Sequence, residues 1–226
     1  MSTVVLCGSL GSTAAMWDTQ LPALSGRDAV VVEHPGHGAE PVAEVASVAD
    51  LAARALEQVD ADRFAFVGLS LGGAVGMQIA LDAPDRVERL VLACTSARFG
   101  DPQQWLDRAA TVRADGLEAI ADAMLARWFV DEPDPRWREM FLSVEPEGYA
   151  RCCEALAVWD AREALARIQA PALAIAGESD PSTPPAYLGE LAEGIPDARL
   201  EVLHNAAHLA NIERADEFNR LLEGWL

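Results

Sequence analysis

Ser70 stands in Gly68-Leu69-Ser70-Leu71-Gly72, the pattern G-x-S-x-G. The apolar run Phe64-Ala65-Phe66-Val67 leads into it, and the small-residue run Ala74-Val75-Gly76-Met77-Gln78-Ile79-Ala80 follows. This reads as a buried strand, a sharp turn with the serine at its tip, and a helix, which is the context that makes the pattern a nucleophile elbow. Glycines beside the serine let strand and helix approach closely. The first N–H groups of the helix point at the same spot and suit a developing oxyanion. Five residues alone would arise by chance in a Gly- and Ala-rich chain; the strand and helix around them carry the argument.

A serine hydroxyl attacks only with a base beside it, and the base needs an acid to orient it. Around an elbow of this kind the partners follow in the order Ser, acid, His. His34 and His37 precede Ser70. His204 ends the last apolar run, which places it in or beside a sheet. His208 lies four residues on, in the loop Asn205-Ala206-Ala207-His208-Leu209, where a base can reach Ser70. The acid should follow a strand. After Ala172 to Ala176 comes Gly177-Glu178-Ser179-Asp180-Pro181. Asp180 is favoured over Glu178 because its turn can aim a short side chain at an imidazole nitrogen. Two backbone N–H groups should hold the oxyanion, one from Leu71 and one from Ser9 in the loop Gly8-Ser9-Leu10-Gly11.

Composition narrows the partners. A net charge of −19 argues against nucleic acid and anionic membranes. Any anionic substrate therefore needs a local positive group. All 17 basic residues are arginine, which excludes Schiff-base lysine chemistry and a lysine-dependent phosphate loop. Cys7 and Cys94 end apolar runs as buried fillers, and the adjacent Cys152 and Cys153 suit neither a disulfide nor metal-ligand spacing. No cofactor or metal is implied. No run is long and apolar enough to span a membrane and no leader pattern opens the chain, so a reducing cytoplasm is the expected location.

The elements that must position these residues alternate. Strands are expected at Thr3 to Cys7, Ala29 to Val32, Phe64 to Val67, Val87 to Ala93, Ala172 to Ala176 and Leu200 to Leu203. Helices are expected at Ala14 to Leu24, from Ser47 to about Val59 with an S-x-x-D capping pattern, after Ser70, from Pro184 to about Glu193, and at Ala215 to Leu226. Alternation implies an α/β fold with a parallel sheet covered by helices on both faces. Residues 97–165 break the rhythm with helical pieces at Gln103 to Ala114, Leu117 to Trp128, Pro135 to Val144 and Glu147 to Val158, and one more follows at Ala161 to Ile168 behind Asp160. The expected division is a core of 1–96 and 166–226 with a helical cap of 97–165. The cap holds four of six tryptophans and eight of 17 arginines. Most of these belong to its core and its solvated faces. Arg127-Trp128-Phe129 ends an apolar helix, and Arg127 could take a substrate carboxylate beside Trp128.

These residues together resemble the α/β-hydrolase superfamily: the Gly68-to-Gly73 elbow, the later Asp180 and His208, and the loop His34-Pro35-Gly36-His37-Gly38. Within it the chain is most similar to 3-oxoadipate enol-lactonases of the β-ketoadipate pathway of aromatic catabolism. Gly8 to Ser12, Met16-Trp17-Asp18, Arg127-Trp128-Phe129, Pro146 to Leu156 and Ala206 to Asn211 carry that narrower likeness. Relatives usually begin with two further strands, so the resemblance implies about six strands here, and an edge left bare would suit either association with a second copy or cover by a loop. It also implies a cofactor-free serine hydrolase that opens 3-oxoadipate enol-lactone, with no nucleic-acid or membrane partner. The alternatives are another hydrolase with the same three residues (a carboxylesterase, a C–C bond hydrolase or a perhydrolase) and a non-catalytic ligand receptor on the same fold.

Overall fold

The computed structural model describes residues 3–226. Six parallel strands form one sheet: β1 (Thr3–Cys7), β2 (Asp28–Val32), β3 (Phe64–Leu69), β4 (Val87–Ala93), β5 (Ala172–Gly177) and β6 (Ala198–Leu203). Their order across the sheet is β2-β1-β3-β4-β5-β6. Every residue of β1, β3 and β5 is buried, while the edge strands β2 and β6 are partly exposed. That is why the central strands read as unbroken apolar runs: in a parallel sheet both faces are covered by helices.

The helices that return the chain are α1 (Val48–Glu57), α2 (Leu71–Asp82), α7 (Pro185–Gly194), α8 (Ala210–Glu213) and α9 (Ala215–Trp225). Ser47 and Asp50 form the expected capping box at the start of α1. Nearly every residue of α2 is buried, so its small side chains let it lie against the sheet. Between β4 and β5 the chain forms α3 (Pro102–Asp115), α4 (Ala121–Trp128), α5 (Arg136–Leu142) and α6 (Pro146–Ala157), with no strand. Aromatic rings bind this block together. Trp128 meets Phe141 edge-on at 5.5 Å between centroids, and Phe141 meets Tyr149 at 5.7 Å.

Chain order reverses between β1 and β3. The chain steps from β1 to β2 on one side and then crosses back to β3 on the other. In open α/β sheets the crevice at the carboxyl ends of such strands is the usual binding place. Here those two carboxyl ends carry the Gly8–Gly11 loop and Ser70.

Three expected elements differ. Residues 14–24 form a 3₁₀ turn (Ala14–Trp17) followed by further turns rather than one helix. Pro22 disfavours helical backbone at Leu21 and offers no N–H of its own. The apolar spacing still buries Met16, Trp17 and Leu24. The segment after Asp160 is likewise 3₁₀ (Arg162–Arg167). The expected helix Leu117 to Trp128 begins as a 3₁₀ turn (Leu117–Ile120) and is α-helical over Ala121–Trp128.

Candidate active site

Ser70 sits between β3 and α2 with φ +58°, a left-handed backbone that a non-glycine residue adopts only under constraint. The constraint is visible on every side. The Ser70 N–H donates to the Ala93 carbonyl at 2.9 Å, and the Thr95 hydroxyl donates to the Ser70 carbonyl at 2.7 Å. The glycines do the steric work. A Cβ on Gly68 would lie 2.2 Å from the Gly72 carbonyl oxygen, and one on Gly72 would lie 2.0 Å from that of Cys7. Both distances are shorter than any tolerable contact, so strand and helix meet this closely only with hydrogen as the side chain.

Ser70 Oγ lies 2.9 Å from His208 Nε2, and His208 Nδ1 lies 2.7 Å from Asp180 Oδ2. All three residues are buried. Asp180 is held by its own turn: the N–H groups of Ser182 and Thr183 donate to Oδ1 at 2.8 and 3.1 Å, and the Thr183 hydroxyl donates to Oδ2 at 2.6 Å. Burial raises the carboxyl's pKa. The charge and hydrogen bond of His208, with the Thr183 donors, outweigh this and hold it below the ordinary carboxylate range. Glu178 points elsewhere, accepting from the exposed His204 ring at 3.1 Å and from the Asn205 N–H at 3.1 Å. His204 is therefore a surface residue and not part of the sheet's packing.

The His208 loop is tied to the helices above it. The Leu209 N–H donates to the Trp128 carbonyl at 3.0 Å. Glu213 accepts from the Ala207 N–H at 2.6 Å and from the Val130 N–H at 2.7 Å. Beneath, the Asn211 amide donates to Met16 O at 2.8 Å and to Gln20 Oε1 at 3.1 Å.

Leu71 opens α2, so its N–H is among those with no acceptor inside the helix. Ser9 follows β1 directly. Gly72 N–H donates to Gly8 O at 3.0 Å, which brings the Ser9 loop alongside the start of α2. Two histidines pin that loop. His34 Nε2 donates to Gly8 O at 2.9 Å, while the Gly11 N–H donates to His37 Nε2 at 3.0 Å. His37 Nδ1 in turn donates to Pro35 O at 3.0 Å. Sequence order excludes these residues as the base and misses this second use, because Gly8 and Gly11 lie 26 residues away in the chain.

Burial lowers the pKa of His34 from 6.5 to about 4 and that of His37 to about 3. The unfolded chain takes up these two protons near pH 6.5 and the folded chain does not. Stability is thus unaffected by these rings above pH 6.5 and falls as pH drops below it towards the folded values. The expected loss is on the order of 2–3 kcal/mol per ring by pH 4.5. Urea unfolding between pH 7 and 4.5 measures the total, and the ring proton shifts of both histidines should stay constant from pH 7.5 to 5. Titration of either ring near 6.5 would show that this reading of the loop is wrong.

A cavity of about 300 Å³ opens over Ser70 and His208. Arg108, Arg127, Trp128 and Tyr149 from the helical block line it, with Thr183 and Tyr187 on the core side. Trp128 is buried and Arg127 exposed. Arg108 lines the same cavity and does not stand out in the sequence, being one arginine among several on a polar helix. Among the described residues no group of His, Cys, Asp and Glu could hold a metal ion. All four cysteines are buried and free. No helix of the described chain is long and apolar enough to cross a membrane.

Comparison with known proteins follows the same lines. Residues 2–215 match the family model for the alpha/beta hydrolase fold. The chain belongs to the α/β-hydrolase family. A 3-oxoadipate enol-lactonase of Acinetobacter baylyi is 34% identical over 232 residues, covering 97% of this chain and 86% of that protein. The crystal structure of the enol-lactonase from Burkholderia xenovorans LB400 superposes with a TM-score of 0.94 at 36% identity, over 99% of this chain and 90% of that one. A malate-bound thermophilic esterase from Thermogutta terrifontis superposes with a TM-score of 0.90 at 25% identity, over 100% of this chain and 89% of that one. As an α/β-hydrolase with relatives that are enol-lactonases and esterases, the protein is an ester or lactone hydrolase.

Proposed function

We propose that this α/β-hydrolase opens a small carboxylate-bearing lactone, 3-oxoadipate enol-lactone, to 3-oxoadipate. The observation that carries the hydrolytic part is the unbroken string Ser70 Oγ–His208 Nε2, His208 Nδ1–Asp180 Oδ2, whose Ser70 and His208 line the cavity. Similarity to the enol-lactonases supports the choice of substrate.

In this reading His208 Nε2 takes the Ser70 proton as Oγ attacks the lactone carbonyl. The N–H groups of Ser9 and Leu71 hold the resulting oxyanion. The ring C–O bond breaks, and His208 returns the proton to the enol oxygen. The leaving group stays tethered, so the ring-opened acyl-enzyme carries it in the cavity. Water, deprotonated by His208, then attacks the ester carbon, and Ser70 leaves with the proton. The released enol rearranges to the 3-oxo acid. Asp180 keeps Nδ1 protonated and stabilises the imidazolium, and Thr183 keeps Asp180 in place. No step needs a cofactor. The substrate's own carboxylate meets the arginine side of the cavity, despite the −19 background.

The malate-bound esterase favours a second reading, a linear ester bearing a carboxylate. Turnover of the purified protein on the enol-lactone beside p-nitrophenyl acetate decides between them. The lactonase reading expects kcat/KM for the lactone to exceed that for the ester by 100-fold or more, on the order that a fitted acyl group contributes. Fast ester cleavage with no lactone turnover would overturn it.

A further inference from the structure

Four arginines of the helical block meet carboxylates. Arg113 pairs with Glu147 and Glu154, Arg138 with Glu118 and Asp122, Arg151 with Glu44 and Glu147, and Arg162 with Asp160. The two that line the cavity, Arg108 and Arg127, form no ion pair among the described residues. Arg98 and Arg136 of the same block form none either, so what sets Arg108 and Arg127 apart is their place on the lining of the cavity over Ser70 and His208. The one carboxylate on the cavity lining among the described residues, Asp101, accepts the Gln103 N–H at 3.0 Å as the cap of α3.

The two arginines are not equivalent. Arg127 is exposed at the end of α4, and holding its long side chain in one pose costs rotamer entropy. Arg108 is half-buried in α3, and its guanidinium lies 4.5 Å from the Trp105 ring centroid. Its charge also acts on the buried Tyr149 hydroxyl, opposing the upward push of burial there. Trp105 is itself fixed, its Nε1–H donating to Phe99 O at 2.6 Å. Stacking leaves the edges of a guanidinium free, and those edges carry donors in the fork that matches a carboxylate. Arg108 is thus preorganised, partly desolvated and lacking an anion, on the wall of the cavity that holds Ser70 and His208.

We propose that Arg108 is the specificity-determining residue of this site: it anchors the free carboxylate of the acyl group whose carbonyl reaches Ser70, and Arg127 plays the lesser part. The inference rests on the hydrolytic reading of the Ser70 site and not on which lactone or ester is the substrate. It predicts a preference for acyl groups with a terminal carboxylate over neutral ones of equal length.

The test uses mono-p-nitrophenyl adipate and p-nitrophenyl hexanoate, which have the same chain length and leaving group. Wild-type protein should favour the carboxylate ester in kcat/KM. Arg108→Gln should lower the ratio of the two kcat/KM values by about 10- to 100-fold, mainly through KM for the adipate ester. Arg108→Lys should restore part of it, and Arg127→Gln should change it about threefold or less. The ratio is insensitive to a general loss of active protein, which both esters would report equally. As a check without substitution, adipate should inhibit the wild type more strongly than adipamide does, and added NaCl should weaken that difference. The proposal falls if the wild type shows no preference, if adipate and adipamide inhibit alike, or if Arg127→Gln removes the preference while Arg108→Gln keeps it. An Arg108-dependent preference without enol-lactone turnover would leave this inference standing and remove the lactonase reading instead.

Discussion

Ser70→Ala is expected to lower kcat/KM by about 10⁴-fold or more, on both the enol-lactone and p-nitrophenyl esters. The hydroxyl is the group His208 Nε2 meets at 2.9 Å, and no other side chain of the described cavity offers an oxygen with a base and an acid in line behind it. Thr183, the nearest competitor, spends its hydroxyl on Asp180 at 2.6 Å. The fold should survive. Alanine keeps the Cβ at φ +58° and so leaves the strain of the turn unchanged, and the Ser70 backbone bonds to Ala93 and Thr95 do not involve the hydroxyl. The thermal midpoint should therefore stay within a few degrees, as for a substitution that costs under about 1 kcal/mol. Reaction with a fluorophosphonate probe gives an independent readout: wild type should be labelled and Ser70→Ala should not. Turnover by the variant near the wild-type rate would remove Ser70 from the mechanism.

The second large effect separates two acids that lie two residues apart. Asp180→Asn should lower kcat by about 10³- to 10⁴-fold, and Glu178→Ala should change it by threefold or less. An amide at 180 faces three fixed donors, the Ser182 and Thr183 N–H groups and the Thr183 hydroxyl, as well as His208 Nδ1. Its NH₂ group can accept none of them, so the imidazole loses either its orientation or its tautomer. Glu178 bonds only to exposed partners, His204 and Asn205 N–H. Asp180 also contributes to stability. Its folded pKa lies below the ordinary 3.8, so the contribution is present above that pH and is lost as pH falls through the folded value. Steady-state kinetics of both variants at pH 7.5 decide the assignment, and the opposite pattern would make Glu178 the orienting acid.

The elbow, the six-stranded parallel core and the order Ser70, Asp180, His208 are legible in the chain because each rests on local rules. Gly68 and Gly72 flank the serine because a Cβ there would strike backbone only a few residues away in sequence or in the neighbouring strand. The strands show because burial on both faces demands unbroken apolar runs. The choice of Asp180 over Glu178 is also local, since the turn at Pro181 supplies the N–H groups that hold the shorter side chain. Residues 14–24 mislead for a related reason. Helical spacing reports which side chains are buried, and Trp17 and Leu24 are, but it does not report that Pro22 breaks the backbone.

Tertiary structure decides what depends on partners distant in the chain. His34 and His37 acquire their use only when β2 lies beside β1 and sets both rings against Gly8 and Gly11. Glu213 matters because it joins Ala207 to Val130, 83 residues away from itself. Arg108 is indistinguishable in sequence from Arg113 five residues later. One finds two glutamates on α6, while the other is left facing the cavity beside Trp105. Ion-pair partners are set by packing, which no spacing rule encodes. The chain's own pattern therefore names the candidate nucleophile and the two residues the structure sets in line behind it. The packing of α3 and α4 decides which positive charges line the cavity over Ser70.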